Sequence, residues 1–134
     1  MILASLQGLP AFLLYFFVGV VLLAAYTAVY TRLTSHDELG LIEQGNAPAA
    51  TAFGLSMLGF ALPLGSAAAH SVSIVDLIVW GIVALAVQSG AYLVARWRLS
   101  NLSDRIANGD WAAALSLGFL SLTCGILNAV SMST

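Results

Sequence analysis

Residues Gly45–Gly65 read GNAPAATAFGLSMLGFALPLG, and residues Gly109–Ala129 read GDWAAALSLGFLSLTCGILNA. Each stretch opens with glycine and a short polar residue, then runs apolar with small residues at helical spacing. A helix needs about 20 apolar residues to cross the hydrocarbon core of a bilayer. Four runs meet that length: about Leu9–Tyr30, Ala47–Ala69, Val75–Val94 and Trp111–Met132. The expected fold is an all-α membrane protein with four transmembrane helices in a single domain over residues 1–134. An outer-membrane barrel would alternate apolar and polar residues, and these runs do not. Backbone groups in lipid must be satisfied within the segment, which leaves helices.

Composition agrees. The chain has 134 residues, of which 60% are hydrophobic and only 7% charged. Soluble domains carry about 25% charged residues. Little sequence remains outside the spans for a soluble catalytic module. The net charge of −2 gives no footprint for a nucleic-acid partner, and the partner expected first is the lipid bilayer. Cys124 is the single cysteine, so neither an intrachain disulfide nor a thiolate cluster can form. The first span lacks a basic leader region and is read as retained.

The halves align without gaps after a shift of 64 residues, which carries Arg32 onto Arg96, Ile42 onto Ile106, Gly45 onto Gly109 and Asn46 onto Asp110. Each unit holds two spans (repeat one about 9–69, repeat two about 75–132), so the copies share one orientation. The expected architecture is two parallel-repeat helical hairpins about a pseudo-two-fold along the membrane normal. Ala50, Gly54, Ala61 and Gly65 fall on Ala114, Gly118, Gly125 and Ala129, all small. Spacings of 4, 7 and 4 residues keep each set on one helical face. Small residues let helices approach closely, and packing drives association in lipid. Spans two and four are expected to meet along these stripes, or the stripes face another subunit.

The loops repeat as well. Ser35 followed by Glu38 fits a capping box, with Leu39 and Ile42 on one face and Gly45 at the stop. In the second loop Leu99, Leu102 and Ile106 share a face, and Gly109 stands at the stop. Both read as short surface helices. Asn46 and Asp110 then open spans two and four as N-caps, the alternative being a binding pair. The four basic residues, Arg32, Arg96, Arg98 and Arg105, all flank these two loops. The positive-inside rule sets those loops in the cytoplasm and both termini outside. Tyr26 and Tyr30 end the first span, where aromatic rings favour the interface. A core-facing role is the alternative.

Few residues could carry chemistry. Asp76 opens span three, either as an N-terminal carboxylate favoured by the helix dipole or as a cation site at a pore mouth. Gln88 lies deep in that span, as an interhelical hydrogen-bonding group or a solute contact. Pro63 removes a backbone bond in span two and frees a carbonyl near Gly59. Asn128 occupies the corresponding region of span four. His70 lies at the outer end of span two and His36 on the opposite side, so the two cannot share a metal. No hydrolase, metalloprotease or phosphate-binding motif is present, and neither an enzyme nor a cofactor is expected. Ser56, Ser89, Ser116 and Ser121 are expected to bond to their own backbones.

Two function classes remain. One is a homo-oligomeric channel or small-solute and ion pathway lined by Asp76, Gln88, Asn128 and the bend at Pro63. The other is a structural or adaptor subunit of a larger membrane complex, recruiting a partner through Asp37, Glu38 and Glu43.

The string Glu43–Gln88, EQGNAPAATAFGLSMLGFALPLGSAAAHSVSIVDLIVWGIVALAVQ, resembles the YjfL family of bacterial inner-membrane proteins, a domain-of-unknown-function group. The matching features are Gly45-Asn46, Ala49-Ala50, Gly59-Phe60, Leu62-Pro63-Leu64, His70-Ser71, Trp80, Gln88, Gly125 and Asn128-Ala129. The closing GILNAVSMS is similar too, although the family usually has Ala and Cys where this chain has Val130 and Ser131. The resemblance implies a four-span inner-membrane protein with a duplicated unit. It supplies no activity and associates the family only with envelope stress responses.

Overall fold

Gly45 and Gly109 adopt left-handed backbone, with φ of +86° and +87°. Each closes a six-residue helix and launches a long one. In the first turn Gly45 N–H donates to the Ile42 carbonyl at 3.0 Å and Asn46 N–H to the Leu41 carbonyl at 2.9 Å. In the second, Gly109 N–H donates to Ile106 at 3.0 Å and Asp110 N–H to Arg105 at 2.8 Å. This paired bonding satisfies orphan carbonyls at a helix end and requires a positive φ, which glycine adopts without steric cost.

The computed structural model describes residues 2–34, 38–99 and 101–132. Its elements are α1 (Ile2–Leu6), α2 (Leu9–Leu33), α3 (Glu38–Glu43), α4 (Ala47–His70), α5 (Ile74–Arg98), α6 (Leu102–Ala107) and α7 (Trp111–Met132). Among the described residues four helical segments are long and apolar enough to cross a membrane: Ile2–Leu33, Ala47–His70, Ile74–Arg98 and Trp111–Met132. Pro10 and Pro48 sit in the first turns of α2 and α4, where a missing N–H costs nothing. The Ser35 cap expected before α3, His36 and Asp37 lie outside the described residues.

The four long helices share one core. The closest pair is α4 and α7, which run parallel, with hydrogen-bonded partners 63 to 65 residues apart. The α5 helix lies against α4 and α7, and α2 lies on α4 and α5. Leu22 meets the face of Gly81, and Tyr30 packs edge-on against Tyr92 with centroids 5.6 Å apart. Bulky side chains face outward, as with Phe16 at 61% exposure and Trp97 at 79%. In lipid that is the favourable side.

One sequence expectation is corrected in part. The α7 stripe (Ala114, Gly118, Gly125 and half-buried Ala129) faces the core, but its α4 counterpart does not. Gly54, Ala61 and Gly65 are exposed, and open space surrounds the positions a Cβ would take at Gly54 and Gly65. The buried edge of α4 is Ala49, Ala52, Ser56, Gly59, Pro63 and Ala67. The reason is the crossing point. A Cβ on Gly59 would sit 2.5 Å from the Ser121 carbonyl oxygen, and one on Gly125 would collide with the Gly59 backbone. Turning α4 to bring Gly59 inward also brings Ser56 to Ser121 and moves Ala61 and Gly65 round to the side of α2. There they help to floor an apolar groove of about 510 Å³, whose opposite wall is the outer half of α2.

The α2 helix joins the core through its inner half only. Every residue from Ile2 to Leu14 is exposed, and Leu22 is its first buried position. Tyr26 and Tyr30 are each 1% exposed, which corrects their expected interfacial placement. Tyr26 stacks on Phe60 with centroids 4.7 Å apart, and Tyr30 packs against Phe53 and Tyr92. Burial of large rings outweighs the interfacial preference where a second helix supplies a flat partner.

Candidate functional site

One polar residue from each of the four long helices converges where the bundle is tightest. Gln88 of α5 donates from Nε2 to the Ser121 carbonyl of α7 at 2.9 Å. Ser56 of α4 donates to Ser121 Oγ at 3.4 Å. Tyr26 of α2 directs its hydroxyl toward Ser56, in interaction range but without a hydrogen bond of good geometry. All four residues are at most 1% exposed. Polar groups at this depth are costly unless paired, and this junction gathers three of the buried polar side chains among the described residues, Ser56, Gln88 and Ser121, beside Tyr26. Ser56 and Ser121 thus bond to each other across helices, which corrects the expectation of bonds confined to their own backbones.

The alignment of α5 explains the convergence. Gly81, Gln88 and Tyr92 share one helical face. Gly81 meets Leu22 and Tyr92 meets Tyr30, so Gln88 stands at the level of Tyr26, midway between them. A Cβ on Gly59 would lie 3.0 Å from Gln88 Nε2, so that glycine leaves the room the amide occupies. Pro63, fully buried four residues further on, lacks the N–H that would otherwise bond the Gly59 carbonyl.

Toward the arginine-bearing end the seam continues through Tyr30 to Tyr92, whose hydroxyl lies 3.4 Å from Ser103 Oγ on α6. There Asn46 caps α4, its Oδ1 accepting from Ala49 N–H at 3.0 Å. Its amide also donates across the loops to the Ala107 carbonyl at 3.0 Å. Asp110 accepts from Ala113 N–H at 3.3 Å and from Arg105 Nε at 2.7 Å. The Arg105 hydrogen bond, and then the Ala113 N–H, hold the Asp110 carboxyl below the usual aspartate range.

The residues nominated for a pathway do not meet. Asp76 lies at the opposite end and reaches back to accept from Val72 N–H at 3.2 Å, while Ser73 caps the same turn. His70 donates from Nδ1 to the Ser66 carbonyl at 2.8 Å, and Ser66 Oγ donates to Ala129 at 2.9 Å. Asn128 is half-buried, its amide nitrogen buried without a hydrogen-bond partner. Gln88 and Pro63 are wholly buried within the chain. Among the described residues no three His, Cys, Asp or Glu side chains gather to hold a metal. Cys124 is free and half-buried.

Comparison with known proteins decides the family. The family described as Domain of Unknown Function (DUF350) matches residues 4–132. The chain belongs to the DUF350 family. It is 38% identical over 128 residues to the UPF0719 inner membrane protein YjfL of Escherichia coli strain K12, covering 96% of this chain and 97% of that protein. YjfL of Escherichia coli O157:H7 is similar to the same extent. No solved structure matches. With four apolar helices and an inner-membrane relative, this DUF350 chain is a multi-pass inner-membrane protein. Sequence reasoning passed over Tyr92, and it read Tyr26 as an interfacial ring and Ser56 and Ser121 as serines bonded to their own backbones. The available signal was the row Ala52, Ser56, Gly59 and Pro63, a second small-residue face on the same helix.

Proposed function

We propose that this DUF350 chain is a structural subunit of an inner-membrane assembly, built from a duplicated helical hairpin and joined to like copies along α4. The observation that carries this reading is the exposed edge Gly54, Ala61 and Gly65, small residues left uncovered while Gln88 and Pro63, two of the residues nominated for a pathway, turn inward. Small residues on a lipid-facing helix suit close approach by a further helix. The matching turns at Gly45 and Gly109 support the duplication. Arg32, Arg96 and Arg105 in the last turns of α2, α5 and α6 support a cytoplasmic position for that end, with both termini periplasmic. A reporter that is active only outside the cytoplasm, fused after Thr134, is expected to be active. An inactive reporter overturns the orientation.

Mass measurement of the particle in native-like lipid tests the assembly. A multiple of this chain, alone or with other chains, is the expected result, and a monomer overturns the proposal. A second reading, an oligomeric small-solute or ion pathway, is favoured by one observation, the buried unpartnered amide of Asn128. Purified protein in liposomes would then pass solute, with flux reduced at least tenfold by Asn128→Leu. Absence of flux removes that reading and leaves the assembly standing.

A further inference from the structure

Inside the chain α4 and α7 do not meet through like surfaces. Leu55 covers Gly118, Gly59 meets Gly125, and Ser66 bonds the Ala129 carbonyl. Shifted by the 64-residue repeat, the α4 members of these pairs become Phe119, Thr123 and Val130 of α7, and the α7 members become Gly54, Ala61 and Gly65 of α4. All six of these residues are exposed. The chain therefore uses one half of a two-sided seam on each helix and turns the complementary half of each outward.

The space beside α4 is a second, separate observation. Within the chain α4 lies in the angle between α5 and α7, with Gly59 set between Gln88 of one and Ser121 of the other. The corresponding angle of the first half, between α2 and α4, holds none of this chain's helices. It is the apolar groove of about 510 Å³ floored in part by Ala61 and Gly65.

We propose that α7 of a second copy occupies this angle, seating its Phe119, Thr123 and Val130 on Gly54, Ala61 and Gly65, so that the seam joining the halves of one chain is repeated between chains. This rests on the assembly along α4 proposed above and names the surface that completes it. An acyl chain in the groove would leave the residue-for-residue match of α7 unexplained. The repeated seam is the looser of the two. Thr123 and Ala61 stand where Gly59 and Gly125 bring backbones together, and Val130 lacks the hydroxyl with which Ser66 bonds Ala129. Copies can thus part without unfolding. The contacts between α4 and α7 join residues 63 and 65 apart, on either side of the repeat length, so the two helices stand at one height. A head-to-tail step without rise closes into a ring rather than a filament.

Oxidative cross-linking of the full chain in native membranes, in a Cys124→Ala background, tests the seam. A disulfide needs Cα atoms within about 7 Å, and in the intrachain prototype a Cβ on Gly118 would lie 2.8 Å from that of Leu55. Two matched pairs are made on exposed positions: Phe119→Cys with Gly54→Cys, and Val130→Cys with Gly65→Cys. Each is expected to give a ladder of products beyond the dimer. The crossed pairs, Phe119→Cys with Gly65→Cys and Val130→Cys with Gly54→Cys, are about 16 Å out of register and are expected to give at least fivefold less. If one matched pair fails to insert, the other decides. Two results overturn the seam and leave the assembly standing: a multimeric particle whose matched pairs cross-link no better than the crossed ones, or Gly54→Cys alone giving as much dimer as the matched pair, which is α4 against α4. A monomeric particle in the mass measurement removes both the seam and the assembly.

Discussion

Gly59 and Gly125 meet backbone to backbone: the carbonyl of Gly59 lies against Gly125 where any side chain would have to stand. The obstacle is main chain on both sides and cannot rotate away. Gly125→Ala is expected to destabilise the bundle by at least the ~1–3 kcal/mol typical of overpacking. Gly81→Ala is expected to cost less, because the added Cβ would meet the flexible end of Leu22, 2.6 Å away, rather than main chain. Reversible unfolding in mixed micelles ranks the two, and equal costs would contradict the rigid crossing.

The exposed edge of α4 should behave in the opposite way. Gly54→Ala and Gly65→Ala have open space and remove a poor helix former, so fold stability is expected to hold or rise by up to about 1 kcal/mol. Gly54→Leu together with Gly65→Leu is expected to shift the particle toward monomer without unfolding it. Light scattering and circular dichroism on the same sample separate assembly from fold.

Asn46 does two jobs with two atoms. Its oxygen caps α4, and its nitrogen donates to the Ala107 carbonyl. Asn46→Asp keeps the acceptor but loses the donor and sets a carboxylate against a carbonyl. Asn46→Ala loses both. Each should destabilise, with the alanine variant giving up the ~1 kcal/mol typical of an N-cap. Asn46→Ser, a cap without the long donor, is expected to fall between alanine and the native residue in thermal unfolding.

Asp110 predicts an acid-sensitive loop. Its folded pKa lies below the ordinary value because Arg105 and the Ala113 N–H favour the charged form. The stabilisation is therefore fully present above about pH 4 and lost as pH falls through the lowered folded value. Asp110→Asn should flatten that part of the stability profile while retaining a cap. A profile that keeps the wild-type acid slope in Asp110→Asn would assign the slope to other carboxylates.

The spans and the two surface turns were legible because each rests on a local rule. Length of an apolar run marks a crossing, and glycine followed by Asn or Asp marks the stop and restart at Gly45 and Gly109. The rotation of α4 was not legible. That helix is small on two faces, Ala50-Gly54-Ala61-Gly65 and Ala52-Ser56-Gly59-Pro63, and periodicity alone does not rank them. What ranks them is Gly125 and Ser121, which lie more than 60 residues away. Tyr26 was misread for the same reason. Its ring prefers an interface on its own, and only Phe60 on another helix gives it a better place.

The outer reach of the first segment has a consequence for the membrane itself. Residues Ile2–Leu33 number 32, which at 1.5 Å per residue makes about 48 Å of helix against a hydrocarbon thickness of about 30 Å. The excess is taken up by extension into the headgroup layer, by leaning of the free portion, by the break between α1 and α2, or by local thickening of the bilayer. Where the free portion leans, the angle of that arm and the width of the groove beside Gly65 follow lipid chain length.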